Sequence, residues 1–198
     1  MRIGIVGGSG DFGRGLAERL RRVGEEVLLG SRTPHDDLVS NQECAEESDL
    51  VFLSVPPGGV EDMCSSLAQN LEGKITVSVA SPIVFIEGQP GAAVGELSLA
   101  ELAQRAAPGA RVVAGFHTIS AKALARADDP LDEDVLLCGD DEEAKAVVAE
   151  LAERIIEGRA VDAGRLEVAR WMEPMTAVLL NVNRRYKANA GVRITGLP

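Results

Sequence analysis

The sequence predicts an α/β protein built on one doubly wound, mostly parallel sheet, with a short helical appendage at its C-terminal end. Two observations lead to this prediction: short apolar runs alternate with helical patterns along most of the chain, and the alternation stops near residue 165. Apolar runs of this kind form strands that are covered on both faces of a sheet. The expected strands are residues 2–6, 27–29, 50–55, 75–79, 111–114, 135–138 and 160–162.

Two of the intervening segments carry clear helix signals. Ser98 and Glu101 have the spacing of a capping box, in which each side chain bonds the backbone N–H of the other residue at a helix start. Residues 140–156 begin with acidic side chains, which favour a helix N-terminus, and then place five apolar residues on one face. Those five are Ala144, Val147, Val148, Leu151 and Ile155. Both segments are expected to be surface helices that lie on the sheet.

The chain departs from a plain alternation of strands and helices in two places. Residues 33–41 leave too little chain for the usual crossover helix, so we expect a loop and a vestigial strand at 38–40. Residues 167–186 are apolar around much of a helix, which Pro174 is expected to kink. Such a helix needs cover from the sheet edge, a cofactor or a second subunit. We therefore expect a main domain at 1–164 and a helix and tail at 165–198, which pack on that domain or on a dimer partner.

Composition narrows the classes of function. The chain has 198 residues, enough for one domain with a substantial core, and its formal net charge of −11 disfavours nucleic acid and anionic membranes as partners. Its apolar stretches are shorter than the roughly 18 residues that span a bilayer, and no signal-peptide pattern is present, so we expect a cytoplasmic protein. Cys44, Cys64 and Cys138 are far apart, which indicates buried thiols and neither a disulfide framework nor a metal site.

The strongest local signal is GIVGGSGDFGRGLAERL at residues 4–20, a strand, a glycine turn and an amphipathic helix in direct succession. Its glycines fit GxGxxG or GxxGxxG, and in either register they allow a tight turn, close approach of a pyrophosphate and tight packing of helix on strand. The backbone N–H groups at the helix N-terminus would bind the pyrophosphate. We expect Rossmann-type dinucleotide binding, with a purely structural turn as the alternative. The expected contacts are Gly8, Ser9, Gly10, Asp11, Phe12 and Gly13.

The end of the second strand indicates which dinucleotide is bound. An NAD site places an acidic residue there to bind the ribose 2′-hydroxyl, whereas this chain has Ser31 and Arg32. A hydroxyl followed by a guanidinium suits the 2′-phosphate of NADP, which Arg binds through charge-assisted hydrogen bonds. His35 is a further candidate contact. The alternatives are a solvated Arg32 and an exposed His35.

Two later strands end in polar and proline residues at the carboxyl edge of the sheet, where ligands of such sheets bind. The first group is Ser54, Val55, Pro56 and Pro57, and the second is Ser81 and Pro82. We expect both groups to contact the nicotinamide side of the nucleotide, although proline also ends strands for purely structural reasons.

The segment Phe116-His117-Thr118-Ile119-Ser120-Ala121 follows another strand at the same edge. His117 is the candidate catalytic residue, positioning or polarising a hydride partner; a hydrogen-bonded structural histidine is the alternative. No nucleophile and base pair forms around it. Hydride transfer requires alignment and exclusion of water more than an acid and a base, so a redox role remains open.

With these motifs together, the chain resembles the NADPH-dependent reductases of the 8-hydroxy-5-deazaflavin coenzyme, the F420:NADP oxidoreductase family. The resemblance is carried, in order, by GGSGDFG, GSR, FHTISA, VLLCGDDEEAK, VDAGRL and GVRITGL. It implies a Rossmann-type domain with a small C-terminal appendage, NADP and the deazaflavin (coenzyme F420) as reactants, and a homodimer.

The resemblance also implies roles for individual residues. Ser9 to Phe12, with Ser31 and Arg32, would bind the phosphates, and Pro57, Ser81 and Ala121 would lie beside the nicotinamide. His117 and Ile119 would face the deazaflavin, and Thr118 is expected to be a further cofactor contact. The chain departs from the family pattern in two ways. A basic residue that the family places a few positions after Arg32 is missing, which leaves His35, and Ser120 stands where a proline is common.

Three functions remain open from the sequence. The first is hydride transfer between NADP(H) and the deazaflavin, which the 34 residues after Gly164 favour because so short an appendage leaves a cleft open to a flat, bulky partner. The second is reduction of another acceptor, such as an imine, a carbonyl, a flavin or a metal chelate, with Lys122 as proton donor. The third is a non-catalytic NADP(H) sensor. The cations Arg184, Arg185, Lys187 and Arg193 fit either an anionic coenzyme tail or a solvated helix end.

Overall fold

An eight-stranded sheet forms the centre of the molecule in the computed structural model, which describes residues 1–197. Its strands are β1 (Arg2–Val6), β2 (Glu26–Ser31), β3 (Leu38–Ser40), β4 (Leu50–Leu53), β5 (Ile75–Ser78), β8 (Arg111–Gly115), β9 (Val135–Gly139) and β10 (Ala160–Asp162). The spatial order is β10-β9-β8-β5-β4-β1-β2-β3, which is the doubly wound order expected from the sequence. A separate hairpin pairs β6 (Ile83–Ile86) with β7 (Gln89–Ala92).

One strand pair departs from the parallel pattern. β8 and β9 are antiparallel, and β10 is parallel to β9, so these last two strands run opposite to the other six. The amino-terminal ends of β9 and β10 therefore lie at the edge where the first six strands have their carboxyl ends. That edge is the ligand side of such a sheet.

Helices cover both faces of the sheet. They are α1 (Asp11–Arg22), α2 (Asn41–Glu46), α3 (Val60–Ser66), α4 (Leu99–Ala106), α5 (Ala121–Ala125), α6 (Glu142–Glu153), α7 (Ala169–Met172) and α8 (Met175–Tyr186). Side chains of β1 and β4 alternate between two apolar cores, one with Ile3 and Leu16 and the other with Val51 and Val60. The doubly wound α/β class predicted from the alternating runs is thus confirmed.

Helix signals in the sequence correspond to observed caps. Ser98 and Glu101 form the complete capping box at the start of α4. The helix expected at 140–156 begins at Glu142, because Asp141 is its N-cap and accepts a hydrogen bond from the N–H of Ala144 at 2.9 Å. The shortened second crossover is also present, since β3 leads directly into the six-residue helix α2.

The C-terminal segment differs from the single kinked helix that was expected. Pro174 separates α7 from α8, and the expected cover over the apolar surface is only partial: Trp171 is 67% exposed and Val178 is 63% exposed. Within residues 1–197, Ala177 is the only buried residue of α8. The hairpin, which the sequence reading did not predict, packs on α8, where Asn181 donates a hydrogen bond to the carbonyl of Pro90 at 2.8 Å.

No helix in residues 1–197 combines the length and the apolar character needed to cross a membrane.

Candidate functional site

Two cavities adjoin one another at the carboxyl edge of the parallel strands. The glycine-turn cavity, of about 1030 Å³, is lined by the turn after β1 and by the residues that follow β2, β4 and β5. The C-terminal cavity, of about 760 Å³, lies between residues 116–122 and the end of α8. Phe12, Val79 and Ser81 line both cavities, so the two cavities adjoin at these three residues.

Backbone geometry explains the glycines of the turn. Gly7 has a φ of +74°, which L side chains rarely adopt, and a Cβ at Gly13 would lie 2.7 Å from the Cα of Gly8. A Cβ at Gly10 would have no atom within 4 Å, so Gly10 faces open space in the cavity. Gly10 is also the N-cap of α1 and supplies no side-chain cap. The first N–H groups of α1 are therefore available to an anion at the positive end of the helix.

Asn41 fixes the position of this turn and was missed by the sequence analysis. Its Oδ1 atom accepts a hydrogen bond from the N–H of Gly7 at 3.0 Å, and its side chain lines the glycine-turn cavity. A Cβ at Gly30 would lie only 2.7 Å from the same oxygen, which explains why glycine stands before Ser31. Asn41 belongs to no motif, because its role depends on the unusual step from β3 directly into α2.

The far end of the glycine-turn cavity is formed by Ser31, Arg32 and Thr33. Ser31 is buried and its Oγ accepts a hydrogen bond from the N–H of Thr33 at 3.2 Å, whereas Arg32 is exposed. Arg32 takes part in no ion pair within residues 1–197. Among residues 1–197, none that lines this cavity carries a carboxylate, so the charge of this lining favours a phosphate. Thr33 is a further lining residue that the sequence analysis missed.

The predicted site residues divide between the two cavities. Those in the glycine-turn cavity are Ser9, Gly10, Phe12, Ser31, Arg32, Ser54, Val55, Pro56, Pro57 and Ser81. Those in the C-terminal cavity are Asp11, His117, Thr118, Ile119 and Ala121, together with the shared Phe12 and Ser81. Gly8, Gly13, His35 and Pro82 line neither cavity; His35 is exposed, with Nδ1 2.8 Å from the carbonyl oxygen of Thr33.

His117 is buried in the wall of the C-terminal cavity, and within the described chain neither ring nitrogen has a hydrogen-bond partner. Burial lowers the pKa of His117 to about 4, so the imidazole is neutral at physiological pH. A neutral imidazole carries one N–H donor and one acceptor nitrogen. Both nitrogens are also buried, so a polar group in the cavity could bond one of them only if the side chain turned toward it, and the neutral ring is not an acid. Phe116, with a φ of +65°, precedes it and packs edge-on against Phe52.

A short hydrogen-bond chain connects the two cavities with α8. The hydroxyl of Thr176 donates to the carbonyl oxygen of His117 at 2.7 Å. The hydroxyl of Ser81 lies 2.7 Å from the hydroxyl oxygen of Thr176. Because Thr176 satisfies the backbone of residue 117 and Ser81 lines both cavities, this chain ties the strand ends to α8. Thr176 lies nearly 60 residues from His117 in sequence, and no local signal marks it.

The C-terminal cavity has apolar walls and a cationic rim. Its three cations are Lys122, Arg184 and Lys187, and Asp11 is the one acid that lines it among the described residues. This local excess of positive charge contrasts with the net charge of −11 of the whole chain. The cavity therefore suits a ligand that combines a flat apolar part with an anionic part.

The wound sheet, the glycine turn and the two cavities that share a wall define a Rossmann-type, nucleotide-dependent oxidoreductase. Residues 2–82 match the family model for coenzyme F420-dependent NADP oxidoreductases. The F420-dependent NADP reductase of Methanothermobacter marburgensis is 38% identical over 225 aligned positions that cover all of both chains. This chain belongs to that family of F420-dependent NADP reductases, as its motifs predict.

Two further similarities bear on the site. A crystal structure from Arthrobacter sp. FB24, assigned provisionally as an F420-dependent NADP reductase, superposes with a TM-score of 0.88 at 28% identity, covering 99% of this chain and all of that one. The rat metalloreductase STEAP3 is 35% identical over 188 residues, which make up 90% of this chain and 37% of that protein. A protein named for a different acceptor therefore shares much of this chain's sequence.

Proposed function

We propose that this protein transfers a hydride between NADP(H) and the 8-hydroxy-5-deazaflavin coenzyme F420. The observation that supports this proposal most strongly is the wall of Phe12, Val79 and Ser81 that the two cavities share. A reaction between two ring carbons requires the rings to be held in contact and shielded from water. Because the two cavities adjoin at these three residues, rings bound in each of them would lie next to one another there.

The glycine-turn cavity fits NADP. Gly10 leaves room for the pyrophosphate beside the uncapped N–H groups of α1, and the phosphate charge lies at the positive end of that helix. Ser31 and the unpaired guanidinium of Arg32 would bind the 2′-phosphate, and residues 54–57 with Ser81 would line the nicotinamide end. We propose accordingly that residues 1–164 form the NADP-binding domain and that residues 165–198 complete the second site.

The C-terminal cavity fits a deazaflavin. Its apolar walls suit a flat ring system, and the cations at its rim suit an anionic side chain. When bound, the deazaflavin supplies a ring carbon that accepts or releases a hydride. We propose that the neutral ring of His117, whose buried nitrogens lack partners within the described residues, turns toward the deazaflavin and orients it through one hydrogen bond, as a catalytic residue that carries no charge in the reaction. Thr118, Ile119 and Ala121 would complete that wall.

We also propose that the protein is a homodimer through the face formed by the hairpin and α7–α8. Phe85, Ile86, Trp171 and Val178 are each more than 60% exposed on these elements. The hairpin and α7 both contact α8, and large exposed apolar side chains on adjoining elements are typical of an association surface. Light scattering on the purified chain is expected to give twice the chain mass, and Phe85→Lys together with Val178→Lys is expected to give the monomer. A monomeric wild-type protein would contradict this part of the proposal.

Anaerobic stopped-flow mixing tests the reaction. The protein and NADPH are mixed with oxidised deazaflavin, and the bleaching of the deazaflavin absorption band is followed. We expect rapid bleaching with NADPH and much slower bleaching with NADH. A ferric chelate is offered in parallel, because the metalloreductase STEAP3 aligns with 90% of this chain at 35% identity. Chelate reduction without deazaflavin bleaching would overturn the proposal.

A further inference from the structure

The chain beyond α8 forms part of the wall of the C-terminal cavity. Lys187 ends α8 in the left-handed conformation, with a φ of +53°, and residues 187–190 then line the cavity. Asn183 holds this stretch: its carbonyl oxygen accepts from the N–H of Ala188 at 3.2 Å, and its Oδ1 accepts from the N–H of Ala190 at 2.6 Å. We call residues 187–194 the strap.

The far end of the strap is anchored on Asp134, whose side chain has no exposed surface. The N–H of Asp134 donates to the carbonyl of Val192 at 2.7 Å, and its Oδ2 accepts from the N–H of Ile194 at 2.8 Å. Its Oδ1 accepts from the N–H of Arg159 at 2.9 Å and from Nη1 of Arg193 at 3.2 Å. One buried carboxylate thus joins the strap to the start of β9 and to the loop before β10.

The strap packs closely on residue 133 between its two attachments. A Cβ at Gly191 would clash with the side chain of Glu133, including its Cβ atom at 2.7 Å, so glycine allows the strap to pass this close. The guanidinium of Arg159 donates to the carbonyl of Ile194 at 2.7 Å and fixes the strap from the other side. The reversal of β9 places residues 133–134 at the ligand edge of the sheet, where the strap can reach them.

We propose that Asp134 is a positioning residue for the second substrate, acting through the strap that it anchors. The inference rests on the proposed function, because it concerns the cavity assigned to the deazaflavin. Asp134 touches neither cavity, and no strap residue lines the glycine-turn cavity. When a site is formed in only a fraction of molecules, the apparent dissociation constant rises in inverse proportion to that fraction. A weakened anchor therefore weakens deazaflavin binding and leaves NADPH binding unchanged.

Asp134→Asn tests this inference, because asparagine keeps the shape and removes the charge that Arg193 and the backbone N–H groups bind. We expect the KM for the deazaflavin to rise by about tenfold, as loss of charge-assisted hydrogen bonds implies, with kcat and the KM for NADPH within about twofold of wild type. The matched control is Asp128→Asn, an exposed carboxylate that pairs with Arg22 and is expected to leave all three constants unchanged. A loss confined to kcat, or an equal rise in both KM values, would overturn the inference.

Hydrogen exchange provides a readout that does not depend on activity. Asp134→Asn is expected to speed amide exchange at residues 188–194 and to leave residues 2–13 at the wild-type rate. Arg193→Met removes the guanidinium that bonds Asp134 and Asp132 and should cause a smaller change in the same direction, which guards against misfolding of the first variant. If wild type fails to bleach the deazaflavin but both variants speed amide exchange in the strap, the proposed function is refuted and the anchoring role of Asp134 is kept. If neither variant changes amide exchange in the strap, the anchoring role of Asp134 is refuted.

Discussion

Replacing Arg32 by alanine should separate the two nicotinamide nucleotides. The guanidinium lines the cavity beyond Ser31, and within residues 1–197 it forms no ion pair, so its removal leaves the fold intact. A charge-assisted contact with the 2′-phosphate accounts for about a tenfold to a hundredfold difference in affinity. We therefore expect Arg32→Ala to raise the KM for NADPH by about that factor and to leave the KM for NADH nearly unchanged.

The assay is steady-state oxidation of each nucleotide with the deazaflavin held at saturation. Arg105→Ala is the matched control, because Arg105 is exposed on α4, pairs with Glu61 alone within the described residues and lines neither cavity. Arg32→Lys keeps the charge but loses the two-pronged geometry, so it should fall between wild type and alanine. Equal losses for NADPH and NADH in Arg32→Ala would refute the assignment of the 2′-phosphate site.

Three further predictions concern groups in or near the site. His117→Ala should spare NADPH binding and slow bleaching of the deazaflavin by about tenfold, the effect of one lost hydrogen bond; an unchanged rate would remove His117 from the mechanism. Burial lowers the pKa of His117 to about 4, so His117 should not titrate near pH 6.5. The pH profiles of turnover for wild type and His117→Ala should therefore have the same shape around that pH. Asn41→Ala leaves the N–H of Gly7 without its acceptor, so it should raise the KM for NADPH and NADH equally and lower the free energy of unfolding by about 1 to 3 kcal/mol in urea titrations. Burial raises the pKa of Glu133 to about 7, so the folded state holds a proton that the unfolded state releases near pH 4.3. The free energy of unfolding of wild type should therefore fall relative to that of Glu133→Gln as the pH rises from about 4.3 to 7, and the gap between the two proteins should stay constant above pH 7. A gap that is the same at every pH would contradict the raised pKa of Glu133.

Local signals were sufficient to predict most of the sheet. The apolar runs, the capping box at Ser98 and the glycine turn each depend on neighbouring residues, and each appears where the sequence placed it. The direction of β9 has no such signal, because a strand covered on both faces has the same pattern in either direction. The hairpin does have a local signal in the dipeptide Glu87-Gly88. Both residues have a positive φ and form the two-residue turn typical of hairpins, in which glycine is favoured.

The candidate site was predictable where it lies at strand ends and unpredictable where distant segments meet. Ser31, Arg32 and Ser81 follow strands at the ligand edge, so a reading of the strands placed them. Asn41 bonds the backbone of Gly7, 34 positions away, and Thr176 bonds His117 and Ser81, 59 and 95 positions away. The strap depends on the reversal of β9. Such contacts are set by tertiary structure, which the sequence pattern of one chain does not contain.

The most direct test of the account is the fate of isotope in a single turnover. Because the two cavities share the wall of Phe12, Val79 and Ser81, the rings should meet without intervening water. NADPH in which both hydrogens of the transferring carbon are deuterium is mixed with the deazaflavin and the protein in ordinary water, and the reduced deazaflavin is analysed by mass spectrometry. We predict that the deuterium is recovered in the deazaflavin and that the reverse experiment, unlabelled NADPH in heavy water, places none at that ring carbon. Loss of the label to water, or its uptake from heavy water, would contradict the claim that the two cavities bring their ligands into direct contact.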